Sequence, residues 1–128
     1  LTRFIQGKSC NQESFRDLAL LQKAIELLQN LHCTELSPIH ASFNPLTRYQ
    51  VSCEFTSIPL NAKIHKLALQ LDRFWKIRQK ELFFHTPCHN DPSPENFFLH
   101  KDRLYLHDWE LSSINDPMWD LSHFSVLC

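Results

Sequence analysis

Cys88-His89-Asn90-Asp91-Pro92-Ser93-Pro94-Glu95-Asn96 runs directly into Phe97-Phe98-Leu99-His100, Lys101-Asp102-Arg103 and Leu104-Tyr105-Leu106-His107. Pro87, Pro92 and Pro94 lack the N–H a helix needs, so residues 85–96 read as an ordered loop. The apolar runs behind it are short and separated by a polar stretch, which is the layout of a β-hairpin. With the turn centred on Asp102, Asn96 sits opposite Asp108. Directly opposed residues have Cβ atoms about 4.5–5.5 Å apart, so an amide oxygen and a carboxylate would emerge together at one end of a stiff support.

Upstream, residues 1–6 read as the end of an apolar strand, and Ser9 with Gln12 has the spacing of a capping box. Phe15, Leu18, Leu21, Ile25, Leu28 and Leu31 then recur at steps of three and four, predicting one buried helix face ending near His32. The stretch from Cys33 to Pro59 holds Pro38, Pro45 and Pro59 and reads as a loop-rich connection. Pro59 suits a first helical turn, and Ile64, Leu67, Leu71, Phe74 and Ile77 predict a second amphipathic helix lasting to about Glu81. Downstream, Asp108-Trp109-Glu110 is turn-like, and Asn115-Asp116-Pro117 predicts a helix start near Pro117.

Composition narrows what such a chain can be. Its 128 residues carry 13 Lys+Arg against 14 Asp+Glu, a formal net charge of -1, and 43% of them are hydrophobic. That is one small globular unit with too much apolar surface for disorder and no field to attract nucleic acid. No apolar run approaches the roughly 20 residues of a membrane span. The single glycine, Gly7, excludes a phosphate-wrapping Gly-rich loop or dinucleotide fingerprint within the chain. The five cysteines, an odd number without framework spacing, fit reduced thiols in a cytoplasm. His85, Cys88 and His89 lie close together, yet no CxxC or HxxxH pair accompanies them, which argues against zinc.

Oxygen ligands placed as Asn96 and Asp108 suit Mg²⁺, which takes one or two carboxylates from protein and fills its shell with water and substrate phosphates. Asp91, five residues before Asn96, supplies a second carboxylate able to accept a proton from an attacking hydroxyl. Each residue alone has an ordinary reading: an Asp in a Pro-rich loop forms turns, and an Asn before a strand caps. Together, His-x-Asp-x-x-x-x-Asn, a hairpin and then an Asp match the catalytic loop and metal-binding Asp of phosphoryl-transfer kinases. His89 reads as a packed histidine that fixes the loop.

Cys88 to Asn96, Leu106-His107-Asp108-Trp109-Glu110 and Asn115-Asp116-Pro117-Met118-Trp119-Asp120-Leu121 resemble the choline/ethanolamine kinase and aminoglycoside phosphotransferase group, most closely its bacterial choline kinase branch. The specific part covers residues 88–121. Leu1 to Ile5 is similar to the family's hinge strand, and the helix ending Asn30-Leu31-His32 to its first large-lobe helix. The resemblance implies an α+β, mainly helical fold: part of a protein-kinase-like large lobe whose small hairpin carries the catalytic loop. It implies Asp91 as the catalytic base, Asn96 and Asp108 as Mg²⁺ ligands, and Asp120 as a structural acid supporting the loop beside His89. Hinge backbone at Arg3, Phe4 and Ile5 would contact adenine. Trp109, Glu110 and Trp119 are candidates for holding the substrate, since a quaternary ammonium is bound by cation–π contacts and nearby acids.

The implied reaction is Mg- and ATP-dependent phosphorylation of a small hydroxylated amine, with choline or ethanolamine first and an aminoglycoside or amino acid as the alternative. Residues 1–128 are then expected to form a partial domain, with the family's N-terminal lobe and C-terminal end outside it. Phosphoryl transfer depends on positioning and charge stabilisation, so such a piece alone would be impaired. The competing expectation is a noncatalytic relic that survives by packing on a partner or on itself through exposed lobe surface. Cys88, beside the loop, reads as a buried small apolar residue rather than a redox switch.

Overall fold

The computed structural model describes residues 6–35, 61–78, 80 and 86–128. Arg3, Phe4 and Ile5, most of the 33–59 connection and His85 lie outside the described residues. Strand β1 (Lys8–Ser9) opens the described chain, so Ser9 pairs in a sheet instead of capping a helix. The capping box belongs to Asn11, whose Oδ1 accepts the Ser14 N–H at 3.0 Å while its own N–H donates to Ser14 Oγ at 3.1 Å. It starts a 3-10 turn, Gln12–Arg16. Asp17 then caps α1 (Leu18–His32) by accepting the Ala19 N–H at 2.9 Å.

This interruption explains a correction to the expected helix face. The periodic reading carried one phase from Phe15 through Leu31, but the turn at residues 12–17 breaks that phase before α1 begins. Ala24 and Leu28 are the fully buried positions, with Leu20, Leu21 and Leu27 packed beside them. Leu18 and Ile25 are 77% and 44% exposed. Phe15 keeps its core role by meeting Phe97 and Phe124 edge-on, at centroid distances of 5.3 and 5.1 Å. Such pairs add about 0.5–1.5 kcal/mol beyond burial of area.

Helix α2 (Ala62–Arg78) starts after Asn61, whose Oδ1 accepts the Lys63 N–H at 2.9 Å, and ends short of the expected Glu81. Its apolar stripe is real, but the described structure leaves it open. Leu67, Phe74 and Ile77 are 63%, 56% and 67% exposed, while Trp75 is buried against Trp119. Periodicity says which residues share a face, not that the face is covered.

Among the described residues, two small antiparallel sheets complete the fold. One has the order β1, β3 (Phe97–His100), β4 (Arg103–Leu106); the other pairs β2 (Thr86–Cys88) with β5 (Ser113–Asn115). The hairpin is present, but its turn is the two residues Lys101-Asp102, with His100 paired to Arg103 and Phe97 to Leu106. Lys101 supplies the left-handed backbone, φ 54°, that closes so tight a turn. The register therefore differs by one from that expected: Asn96 stands opposite His107, whose N–H donates to the Asn96 carbonyl at 3.0 Å. Gly7 approaches β3 so closely that a Cβ there would lie 2.5 Å from the Leu99 carbonyl oxygen. Helix α3 (Pro117–Leu127) begins as expected, with Asp116 accepting the Met118 N–H at 2.9 Å and Pro117 in the first turn. Among the described residues no helix is long and apolar enough to cross a membrane.

Candidate active site

The loop after β2 is held by a buried carboxylate thirty residues away. Asp120 on α3 is fully buried, and its oxygens accept the backbone N–H of His89 at 2.8 Å and of Asn90 at 2.7 Å. His32, at the end of α1, places Nε2 3.0 Å from Asp120 Oδ2. A buried carboxylate is tolerated when such donors replace its water, and here they are loop backbone and α1. Asp120 thus joins the loop backbone at His89 and Asn90 to the end of α1 at His32.

Asn90 has a left-handed backbone, φ 68°, and is fully buried. Its Nδ2 donates to the Leu111 carbonyl at 2.8 Å and to Ser113 Oγ at 2.7 Å, and its Oδ1 accepts from Asn115 Nδ2 at 2.6 Å. This network ties the loop to β5 and gives both polar atoms of the Asn90 side chain protein partners. Sequence reasoning passed over both asparagines. The available signal was Asn90 itself, since Asn is among the few residues that tolerate left-handed backbone.

His89 is fully buried; with the tautomer that protonates Nε2, it donates to the His107 carbonyl at 2.8 Å. Its ring meets Trp109 at a centroid distance of 4.8 Å. The histidine therefore braces the strand end next to Asp108. Asp108 itself is exposed and has φ 64°, turning the chain from β4 into the 3-10 turn Trp109–Leu111. A left-handed aspartate stores a modest strain that the His89 and Trp109 contacts hold in place.

Asn96 is buried at the end of the 3-10 turn Pro94–Asn96, and its Nδ2 donates to the Asp91 carbonyl at 2.8 Å. That bond commits the amide nitrogen and leaves Oδ1 as the atom available to a hard cation. Asp91 is partly exposed, with His123 Nε2 3.3 Å from its Oδ1. The fold brings Asp91 and Asn96 into direct contact and sets Asp108 one residue past the Asn96–His107 pair, instead of in the pair itself.

Trp119 is half-buried, donating from Nε1 to the Asn90 carbonyl at 3.3 Å and crossing Trp75 edge-on at 5.5 Å. It lines a cavity of about 540 Å³ between α2 and α3, together with Phe74, Trp75, Met118, Asp116 and His123. Trp109, at 45% exposure, and the exposed Glu110 stand apart from that cavity, on the turn after Asp108.

Cys88 shares a buried corner with His32 and Asp120, their ligand atoms within 4.8 Å of one another. Burial, then the charges of Asp120 and Asp116, push the Cys88 thiol well up, which keeps it protonated. His32 and Asp120 are engaged with each other, so the corner is a hydrogen-bonded cluster beside a protonated thiol.

The whole chain, residues 1–128, matches the model of the Phosphotransferase enzyme family. The chain belongs to that family. Protein LicA of Haemophilus influenzae is 28% identical over 131 residues, covering 95% of this chain and 47% of the relative. The choline kinase LicA from Streptococcus pneumoniae is 31% identical with a TM-score of 0.66, covering 94% of this chain and 43% of that one. A structure of LicA in complex with AMP superposes with a TM-score of 0.68 at 28% identity, covering 98% and 44%. This family member therefore has the choline kinase-like fold, mostly helical with small antiparallel sheets. It spans 47% and 37% of the length of the two curated LicA relatives it matches.

Proposed function

We propose that residues 1–128 form the hinge and part of the large lobe of a kinase that transfers a phosphoryl group from Mg-ATP to a small amino alcohol, choline or ethanolamine. The observation that carries this reading is the contact between Asn96 Nδ2 and the Asp91 carbonyl at 2.8 Å, with Asp108 beside the same hairpin end. A proton acceptor and two oxygen ligands on one rigid unit are what phosphoryl transfer asks of a protein, since its catalysis is mostly positioning and charge stabilisation.

The donor set fits Mg²⁺. Asn96 Oδ1 and the exposed Asp108 carboxylate are hard oxygens, and Asp108 has room for a partner carrying phosphates. A bound Mg²⁺ supplies charge neutralisation for the phosphate oxygens. Asp91 orients the substrate hydroxyl and takes its proton as that oxygen bonds to the γ-phosphorus and the bond to the ADP oxygen breaks. Asp120, Asn90 and His89 hold the loop so that none of these groups must reorganise. Arg3, Phe4 and Ile5 are assigned to adenine by family resemblance.

The cavity between α2 and α3 supports an amine-bearing acceptor. Phe74, Trp75 and Trp119 offer aromatic surface and Asp116 a negative charge, the chemistry that holds a quaternary ammonium. Trp109 and Glu110, on the turn after Asp108, are the further candidates. The names of the relatives, a choline kinase and a complex with AMP, point the same way.

The test is a coupled ADP-release assay on the full-length protein with choline, ethanolamine, an aminoglycoside and an amino acid as acceptors. Choline or ethanolamine is expected to give the highest kcat/KM, and Asp91→Asn to lower kcat by about 10²–10⁴. Turnover of only the aminoglycoside or amino acid would move the protein to another acceptor class. A folded protein that binds no nucleotide would favour the noncatalytic module.

A further inference from the structure

Helix α3 touches two consecutive parts of the loop from one face. Asp120 holds the backbone of His89 and Asn90, and His123, one turn further along, brings Nε2 to 3.3 Å from Asp91 Oδ1. Residues three apart on a helix share a face, so the two contacts form a single rigid unit. Its anchor is sound: Asp120 is fully buried and Phe124, next to His123, sits in the aromatic core.

The Asp91 backbone is held through Asn96, and its side chain, 28% exposed, lies with Oδ1 3.3 Å from His123 Nε2. A base that reorients between turnovers gives up much of the advantage of proximity, and a misplacement of about 1 Å costs on the order of 10²-fold in rate. We propose that His123 is a positioning residue for Asp91: its Nε2–H holds one carboxylate oxygen, fixing the direction in which the carboxylate meets the acceptor hydroxyl. This rests on the phosphotransferase reading of Asp91. His123 also lines the aromatic cavity, so the same side chain joins the space assigned to the amine to the group assigned to its hydroxyl.

The experiment compares wild type, Asp91→Asn, His123→Leu and His123→Gln in the full-length protein, with melting curves as folding controls. Leucine removes the donor, whereas glutamine can place an N–H where Nε2 stood. His123→Leu is expected to lower kcat at saturating amine by about 10- to 100-fold, and His123→Gln to recover most of that loss. A residue that only lined the cavity would raise KM for the amine and leave kcat alone. That result, or a glutamine variant no better than leucine, overturns the inference while Asp91→Asn still reports the base. If Asp91→Asn turns over like wild type, the reading of Asp91 falls, and this inference with it. In ¹⁵N spectra of the histidine rings, His123 is expected in the Nε2-protonated form, with signals that move in Asp91→Asn. Unmoved signals would refute the contact without recourse to turnover.

Discussion

Asp120 Oδ1 accepts the backbone N–H of Asn90 at 2.7 Å across a separation of 30 residues, inside a pocket from which both side chains are excluded from solvent. A carboxylate has two equivalent acceptors, and here they meet the N–H groups of two successive loop residues. An asparagine has one. Asp120→Asn would aim an NH₂ at a backbone donor or at His32 and leave one N–H unsatisfied. The expected loss is about 2–4 kcal/mol, since bonds to charged groups are worth about 1.5–3 kcal/mol and buried orphans cost about 1–3. Denaturant unfolding checks this; a loss below about 1 kcal/mol would show that the loop holds itself.

The elements most legible in the sequence were those set by short-range signals. Pro117 after Asp116 marked the start of α3, and the polar break after His100 marked the hairpin. Spacing singled out Asp91, Asn96 and Asp108, and the structure sets Asp108 one residue past the partner of Asn96. Two things stayed hidden for physical reasons. The register turns on whether Arg103 closes the turn or pairs, a choice of one residue that composition does not decide. The pairing of β2 with β5 joins stretches of three residues, too short for any alternation to show. The Asn90–Asn115 bond lies across that same long-range pairing, so it was hidden with it.

Asp108→Ala should separate folding from nucleotide handling. Its side chain is exposed, so the melting temperature should stay within a few degrees of wild type, apart from any relief of the left-handed backbone. Mg-dependent ATP binding by calorimetry should weaken at least tenfold, because one of two protein ligands is gone. Equal ATP affinity with and without Mg²⁺ in wild type would remove Asp108 from the site.

Phe97 is fully buried between Phe15 and Phe124, at centroid distances of 5.3 Å to each. It also begins β3, next to Asn96. Phe97→Ala is expected to cost about 3–5 kcal/mol, through lost burial and a cavity that the aromatic cluster cannot collapse to fill. Unfolding curves would read it directly, and a cost under about 1 kcal/mol would mean the three-ring cluster repacks.

The open stripe on α2 gives a prediction about association. Leu67, Phe74 and Ile77 expose apolar surface on one face, which water disfavours at about 25 cal/mol per Å². Purified residues 1–128 should self-associate in sedimentation velocity, and Leu67→Lys with Ile77→Glu should shift the sample toward monomer. An unchanged distribution would place the association elsewhere.

Stability at alkaline pH follows from Cys88. Its thiol is 1% exposed and raised well above the ordinary 9.0 by burial, with the charges of Asp120 and Asp116 adding to the shift. Because the folded pKa lies above the unfolded one, the stabilisation is complete below pH 9. Above it the unfolded chain releases protons that the folded chain keeps, so stability falls as pH rises toward the folded value. The buried Cys88 thiol contributes a slope of about 1.4 kcal/mol per pH unit in that window. The melting temperature should therefore drop from pH 9 to 11, and Cys88→Ala should flatten the drop. The same burial makes Cys88 slower to alkylate at neutral pH than the exposed Cys33. Rapid labelling of Cys88 in the folded protein would mean that the loop carrying Asp91 opens readily, and the Asp120 clamp would then be weaker than its geometry implies.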